Sequence, residues 1–193
     1  MSFDRYPRVF SFAVCVALAV SAASAQAVGG EFSYSGGELT CVPDAGVTGQ
    51  QPPYLDCLQI GPVRIGETMR TVSMKFGKAR QATKRGSVTD RLYPIKGDVP
   101  AGQPVPYWVI GFEDQRVVSI QITGDLRVDQ YAFSSLRLGD TEEKLLSKFG
   151  PAGFNQPAPR INGVMLGYSP YPVTFEIKDG KIYTMRVSEA IGK

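Results

Sequence analysis

The chain contains no histidine, and cysteine and tryptophan are scarce, at three and one among 193 residues. Lack of histidine removes Ser-His-Asp and Cys-His catalysis and, with them, the commonest transition-metal ligand. No Gly-x-Ser-x-Gly elbow surrounds Ser35 or Ser169, and Ser-x-x-Lys, Gly-x-Gly-x-x-Gly and phosphate-cradling glycine loops are likewise missing. No cofactor or metal is therefore expected. A marked excess of one charge is lacking too, with 21 Lys and Arg against 18 Asp and Glu. A dedicated nucleic-acid binder usually carries a strong basic excess, so nucleic acid is not an expected partner. Beyond the leader, no apolar run approaches the roughly 20 residues that a membrane-spanning helix needs.

What is present begins with a three-part leader. Arg5 and Arg8 give a positive start, Val9 to Val20 is almost unbroken apolar sequence, and Ala23-Ser24-Ala25 supplies small residues before Gln26. This pattern predicts a signal peptide over residues 1–25, cleaved after Ala25. The competing reading is an uncleaved anchor, against which stands the shortness of the apolar run. Cys15 lies inside that run behind Phe12-Ala13-Val14, away from the cleavage point, so lipidation is not expected. The mature protein is expected to be periplasmic or secreted, not membrane-spanning, with 19 basic against 17 acidic residues. It retains Cys41 and Cys57 in a compartment where thiols are commonly oxidised, and a disulfide between them is expected. Closing that loop contributes roughly 3 kcal/mol in the chain-entropy picture. The alternative, a thiolate nucleophile or metal pair, has neither a histidine partner nor zinc-site spacing.

Past a disulfide-closed segment at residues 26–59, the chain repeats itself. Ile65-Gly66-Glu67-Thr68 through Lys75-Phe76-Gly77 aligns without gaps on Leu138-Gly139-Asp140-Thr141 through Lys148-Phe149-Gly150. Each copy reads as a short helix, with an acidic residue and Thr at its start and Gly just past its end. Val72 and Phe76, like Leu145 and Phe149, stand four apart on one apolar stripe. Downstream in each copy an alternating pattern predicts a hairpin. The first runs from Trp108, Ile110 and Phe112 through Glu113-Asp114-Gln115 to Val118, Ile120 and Ile122; the second places Val173, Phe175 and Ile177 before Lys178-Asp179-Gly180 and Tyr183, Met185 and Val187 after it. For the second hairpin a three-residue loop pairing Ile177 with Lys181 is preferred, because a two-residue Asp179-Gly180 turn scatters the apolar residues over both faces. Asn162-Gly163 signals a further hairpin, whereas Lys78 to Pro106 reads as a loop with one strand near Ser87 to Tyr93. The fold class is α+β: two tandem repeats, residues 60–125 and 126–193, of short helices packed on an antiparallel β-sheet.

The apolar-Gly-x-Thr start, the Lys-Phe-Gly end and the hairpin with an Asp-Gly turn resemble the unit of the SmpA/OmlA family, small outer-membrane lipoproteins of the β-barrel assembly machinery. In tandem the unit is similar to β-lactamase inhibitor protein. The resemblance covers about Ile60 to Val187. It implies a helix-loop-helix packed on an antiparallel sheet in each half, and partner proteins bound through the exposed sheet face or the connecting loops. This chain departs from the family in lacking a lipid-bearing cysteine and in its added N-terminal segment, which could cover the sheet or add a strand from Phe32 to Cys41.

Two surfaces and one carboxylate set are candidates for function. Glu113, Asp114, Glu176 and Asp179 could face each other as the acid and base of a hydrolase of envelope polymers, although Asp114 and Asp179 also suit turns and the glutamates suit solvent. Lys78, Arg80, Lys84, Arg85, Arg91 and Lys96 form a candidate anion-binding loop opposed by Asp90 alone, suited to anionic lipid, cell-wall material or an acidic protein patch, or simply to solvation. Trp108 belongs by register to the buried face rather than to a ligand-stacking site. On the opposite face Tyr107, Gln121, Glu176 and Arg186 form a candidate protein interface of mixed character. The leading expectation is an exported, non-catalytic module that binds another envelope protein, in envelope assembly or in inhibition of its partner. The alternatives are a lipid- or cell-wall-binding protein using the basic loop, or a carboxylate-dependent hydrolase.

Overall fold

The computed structural model describes residues 29–43, 53–97 and 99–189. The leader, its cleavage point and the middle of the disulfide loop lie outside the described residues. Strands β1 (Gly30–Ser35) and β2 (Glu38–Pro43) are followed by a 3-10 turn at Pro53–Cys57, short strands β3 (Gln59–Ile60) and β4 (Val63–Arg64) and helix α1 (Met69–Phe76). Then come β5 (Gln81–Arg85), β6 (Val88–Pro94), β7 (Tyr107–Glu113), β8 (Arg116–Thr123) and helix α2 (Glu142–Phe149). Strands β9 (Phe154–Ala158), β10 (Gly163–Gly167), β11 (Val173–Lys178) and β12 (Lys181–Ser188) complete the described chain.

The repeated motif folds the same way twice, for reasons visible in its residues. The hydroxyl of Thr68 accepts from the Thr71 N–H and that of Thr141 from the Lys144 N–H, so each helix start has a side-chain acceptor. Gly77 at φ 76° and Gly150 at φ 73° end the helices in backbone that only glycine adopts without strain. Each helix entry is also tied to its own hairpin by a matching set of backbone bonds. The N–H groups of Gly66, Val117 and Met69 donate to Val117, Glu67 and Gln115; those of Gly139, Ile182 and Glu142 donate to Ile182, Asp140 and Gly180. The helix therefore arrives over the ribbon that buries its stripe: Phe76 packs 5.4 Å from Trp108, and Phe149 packs 5.2 Å from Phe175.

The two ribbons merge into one eight-stranded sheet in the order β5-β6-β7-β8-β12-β11-β10-β9. The seam is the antiparallel pair β8–β12, with Ile120 opposite Val187, Gln121 opposite Arg186 and Ile122 opposite Met185. Gln121 and Arg186 stand equally far past Val117 and Ile182, the residues held by the helix entries. The joint thus pairs equivalent strands about an approximate two-fold at Gln121 and Arg186.

Several expectations about the ribbons need correction. Both long hairpins turn in two residues, Asp114-Gln115 and Asp179-Gly180, with every turn residue at positive φ. Ile177 pairs with Ile182, not Lys181, and the scattering expected of that register is averted by a bulge at Tyr183 that restores Phe175 opposite Met185. Val118 is the matching bulge in the first ribbon, so Val117 is buried in its place. The Asn162-Gly163 hairpin forms, yet Asn162 ends a short 3-10 turn in left-handed geometry and Gly163 already belongs to β10. The stretch read as a basic loop with one strand is a two-stranded hairpin, β5–β6. Strand β5 escaped notice because all its residues are exposed, which leaves no apolar alternation to read.

The core lies on the helix side of the sheet, and the N-terminal segment contributes to it instead of extending the sheet. Strands β1 and β2 form a separate ribbon against α2, and Phe32 is fully buried, 5.6 Å from Phe149, 5.9 Å from Phe133 and 4.9 Å from Tyr171. Its N–H donates to the Ser134 hydroxyl, and Lys148 pairs with Glu31 at 3.0 Å. The Cys41–Cys57 disulfide forms as expected, with Cα atoms 5.9 Å apart, and ties this ribbon to the turn leading into β3.

Candidate functional site

The helices and the N-terminal ribbon cover one face of the sheet; the other is lined by half-buried side chains outside the core cluster, including Leu92 and Val109. Strand alternation aligns these side chains in cross-strand rows. One row runs Met165, Glu176, Thr184, Thr123, Tyr107 across β10, β11, β12, β8 and β7. The next runs Thr174, Arg186, Gln121, Val109, Leu92. The four residues read as an interface thus share adjacent rows on one face. Tyr107, Gln121 and Glu176 are half-buried and Arg186 is exposed.

The middle of this face is fixed by hydrogen bonds. The Thr123 and Thr184 hydroxyls lie 3.2 Å apart and buried, and the Gln121 amide donates to Thr123 at 2.9 Å. A corner cluster escaped sequence reading. Alternation had assigned Tyr183 to the core, but as the bulge residue it joins the open face, with Lys178 Nζ 5.3 Å from its ring centre. Lys178 in turn pairs with Asp125 at 2.5 Å. Burial, then the neighbouring Tyr107 and Asp125, raise the Tyr183 hydroxyl above the ordinary tyrosine value. Only the bulge brings Tyr183 out, and no local turn signal marks it.

The candidate carboxylate pair is not assembled. Because β8 and β12 are antiparallel equivalents, the tips at Asp114 and Asp179 lie at opposite ends of the sheet, roughly 30 Å apart at about 3.3 Å per strand residue. Asp114 at φ 47° and Asp179 at φ 51° serve their turns. Among the described residues, no group of three or more His, Cys, Asp or Glu comes together as a metal site.

The basic set divides by environment. Lys78, Arg80 and Lys84 are exposed on and just before edge strand β5, and among the described residues none of them forms an ion pair. Arg85 pairs with Asp90 across the hairpin. Arg91 points to the core side, 5.8 Å from the Phe112 ring centre, which takes it out of the exposed row. Lys96 is exposed beyond the end of β6. Elsewhere, a cleft of about 440 Å³ lined by Arg64, Glu67, Lys75 and Arg116 lies beside α1, and its charges are engaged internally: Lys75 with Glu67 and the Pro62 carbonyl, Arg116 with the Gly66 carbonyl.

No protein-family model matches the chain, and no curated protein matches it by sequence. Among solved structures, the chain is similar to one described as a cysteine-rich secretory protein from Staphylococcus aureus, at 13% identity and a TM-score of 0.42. That match covers 63% of this chain and 42% of the other, so the chain spans less than half of that protein. Among the described residues no helix is long and apolar enough to cross a membrane.

Proposed function

We propose that this protein is an exported, non-catalytic interaction module that binds another envelope protein through the open face of its sheet. The observation that carries the reading is the pair of adjacent rows that set Tyr107, Val109, Gln121, Glu176 and Arg186 on one face, which no other element among the described residues covers. Aromatic, apolar and charged side chains in that mixture suit a protein interface, whose composition resembles ordinary surface with aromatics and Arg enriched. The Thr123–Thr184 contact and the seam beneath it make the face rigid before binding, which lowers the ordering cost of association. Export is supported by the leader pattern and by the disulfide, which persists best in an oxidising compartment. The resemblance of the repeated unit to the SmpA/OmlA family and β-lactamase inhibitor protein is in keeping with a binding role.

In-cell photo-crosslinking tests this directly. A photoreactive residue at Gln121 or Val109 is expected to trap a defined partner, and one at the exposed Leu146 on α2 is not. Tyr107→Ala combined with Glu176→Arg and Arg186→Glu is expected to abolish the adduct while the circular dichroism spectrum stays unchanged. Equal trapping from both faces, or trapping that ignores the triple change, defeats the reading.

A further inference from the structure

Among the described residues, strand β5 ends the sheet with only β6 beside it. Its backbone polarity follows from the turn it feeds. The Gly86-Ser87 loop has two residues, so Arg85 and Val88 close the hairpin as a hydrogen-bonded pair. Alternation then directs the N–H and C=O groups of Gln81, Thr83 and Arg85 toward β6, and those of Ala82 and Lys84 outward. The pairing with β6 is in regular register from Gln81 to Arg85, the strand has no proline, and the alternation ends at Arg80, whose N–H turns in to the Leu92 carbonyl at 2.9 Å. The opposite edge is built differently: β9 carries Pro157, which has no N–H to offer, and Pro159 follows it. One edge of this sheet is thus closed to pairing and the other is open.

The side chains at the open edge narrow the choice of occupant. Lys84 stands on the same side of the strand as Ala82, and the exposed Arg80 and Lys78 just before the strand add two cations without an ion pair among the described residues. A second copy of the chain pairing here would bring these cations against their own counterparts, which is unfavourable. A strand with acidic residues at alternate positions would instead satisfy both the cations and the outward amides. We infer that the β5 edge accepts an added strand from an extended, acidic segment of a partner protein. This site is distinct from the open sheet face and does not depend on it.

The decisive variant is Ala82→Pro. It deletes an outward N–H that the fold itself does not use and keeps every charge, and an edge strand tolerates proline at such a position. The probe is a synthetic peptide of alternating glutamate and valine, titrated against the full exported protein. Binding is expected to weaken about tenfold in Ala82→Pro, the equivalent of one lost charge-flanked hydrogen bond, and not in Ala82→Thr. Methylation of alternate peptide amides is expected to weaken it likewise, and so is Lys84→Glu with Arg80→Glu. Crosslinking from Gln121 is expected to be unaffected by Ala82→Pro, which separates this site from the face. Peptide binding indifferent to both Ala82→Pro and amide methylation would overturn the inference. So would sedimentation of the protein with phosphatidylglycerol vesicles in place of any peptide affinity, or a dimer that Ala82→Pro dissociates.

Discussion

At the scale of single residues, Asp140 shows how the repeat uses its acidic position. Its side chain is 4% exposed and takes Arg127 at 2.7 Å, Lys144 at 2.8 Å and the Arg137 N–H at 2.9 Å. Burial alone would raise its carboxyl, but the bonds from Lys144, Arg127 and the Arg137 backbone outweigh it and hold the group below the ordinary carboxylate value. A carboxyl lowered on folding stabilises the protein fully above its unfolded value, and this contribution disappears as pH falls through the lowered folded value. Urea unfolding should therefore show stability dropping below about pH 4, with the drop reduced in Asp140→Asn. At neutral pH the same variant should cost about 1–3 kcal/mol. The equivalent Glu67 pairs with Lys75 and accepts from the Arg64 N–H at 3.4 Å, and it is more exposed, so Glu67→Gln should cost less.

At the scale of elements, the caps set a graded expectation. Gly77 and Gly150 share a backbone conformation that other residues adopt only under strain, at about 1–3 kcal/mol each. A β-carbon at Gly77 would meet nothing, whereas one at Gly150 would run into the Tyr34 ring of the β1–β2 ribbon. Gly150→Ala should thus lower the thermal midpoint more than Gly77→Ala, and the difference should shrink when Tyr34 is truncated to alanine. These helices were legible because caps, stripes and terminators are local: Thr141, Leu145, Phe149 and Gly150 announce the element within one short stretch. The bulges at Val118 and Tyr183 were not, since the extra residue is detectable only against the partner strand. That is why Tyr107, Gln121, Glu176 and Arg186 were readable as one face from period-two alternation and Tyr183 was not. Strand β5 stayed hidden for the opposite reason, having no buried side and hence no period at all.

At the scale of the whole molecule, the tandem repeat could have produced two independent units, and its packing argues against that. The β8–β12 seam continues the hydrogen-bonded ladder from one copy to the other, and the buried side chains form a single cluster from Tyr93 and Trp108 through Ile122 and Met185 to Phe149 and Tyr168. The N-terminal segment straddles the joint: Phe32 enters the second copy's core, while the disulfide links its ribbon to the strand pair that contacts β8. Reduction, or replacement of Cys41 and Cys57 by serine, should cost about 3 kcal/mol for a bridge of this span and should lower the stability of both copies together. Trp108 is the only tryptophan in the chain and sits in β7 of the first copy, with one ring contact at 4.9 Å to Tyr131 beyond it, so its fluorescence reports mainly on the first half. Phe149→Ala empties a buried site in the second copy and should cost about 3–5 kcal/mol. If the sheet and cluster unfold as one cooperative body, the tryptophan transition in urea must shift by as much as the far-ultraviolet circular dichroism transition. A tryptophan midpoint left in place by Phe149→Ala would mean that the seam does not couple the halves, and the rigidity assumed for the face that spans it would go with it.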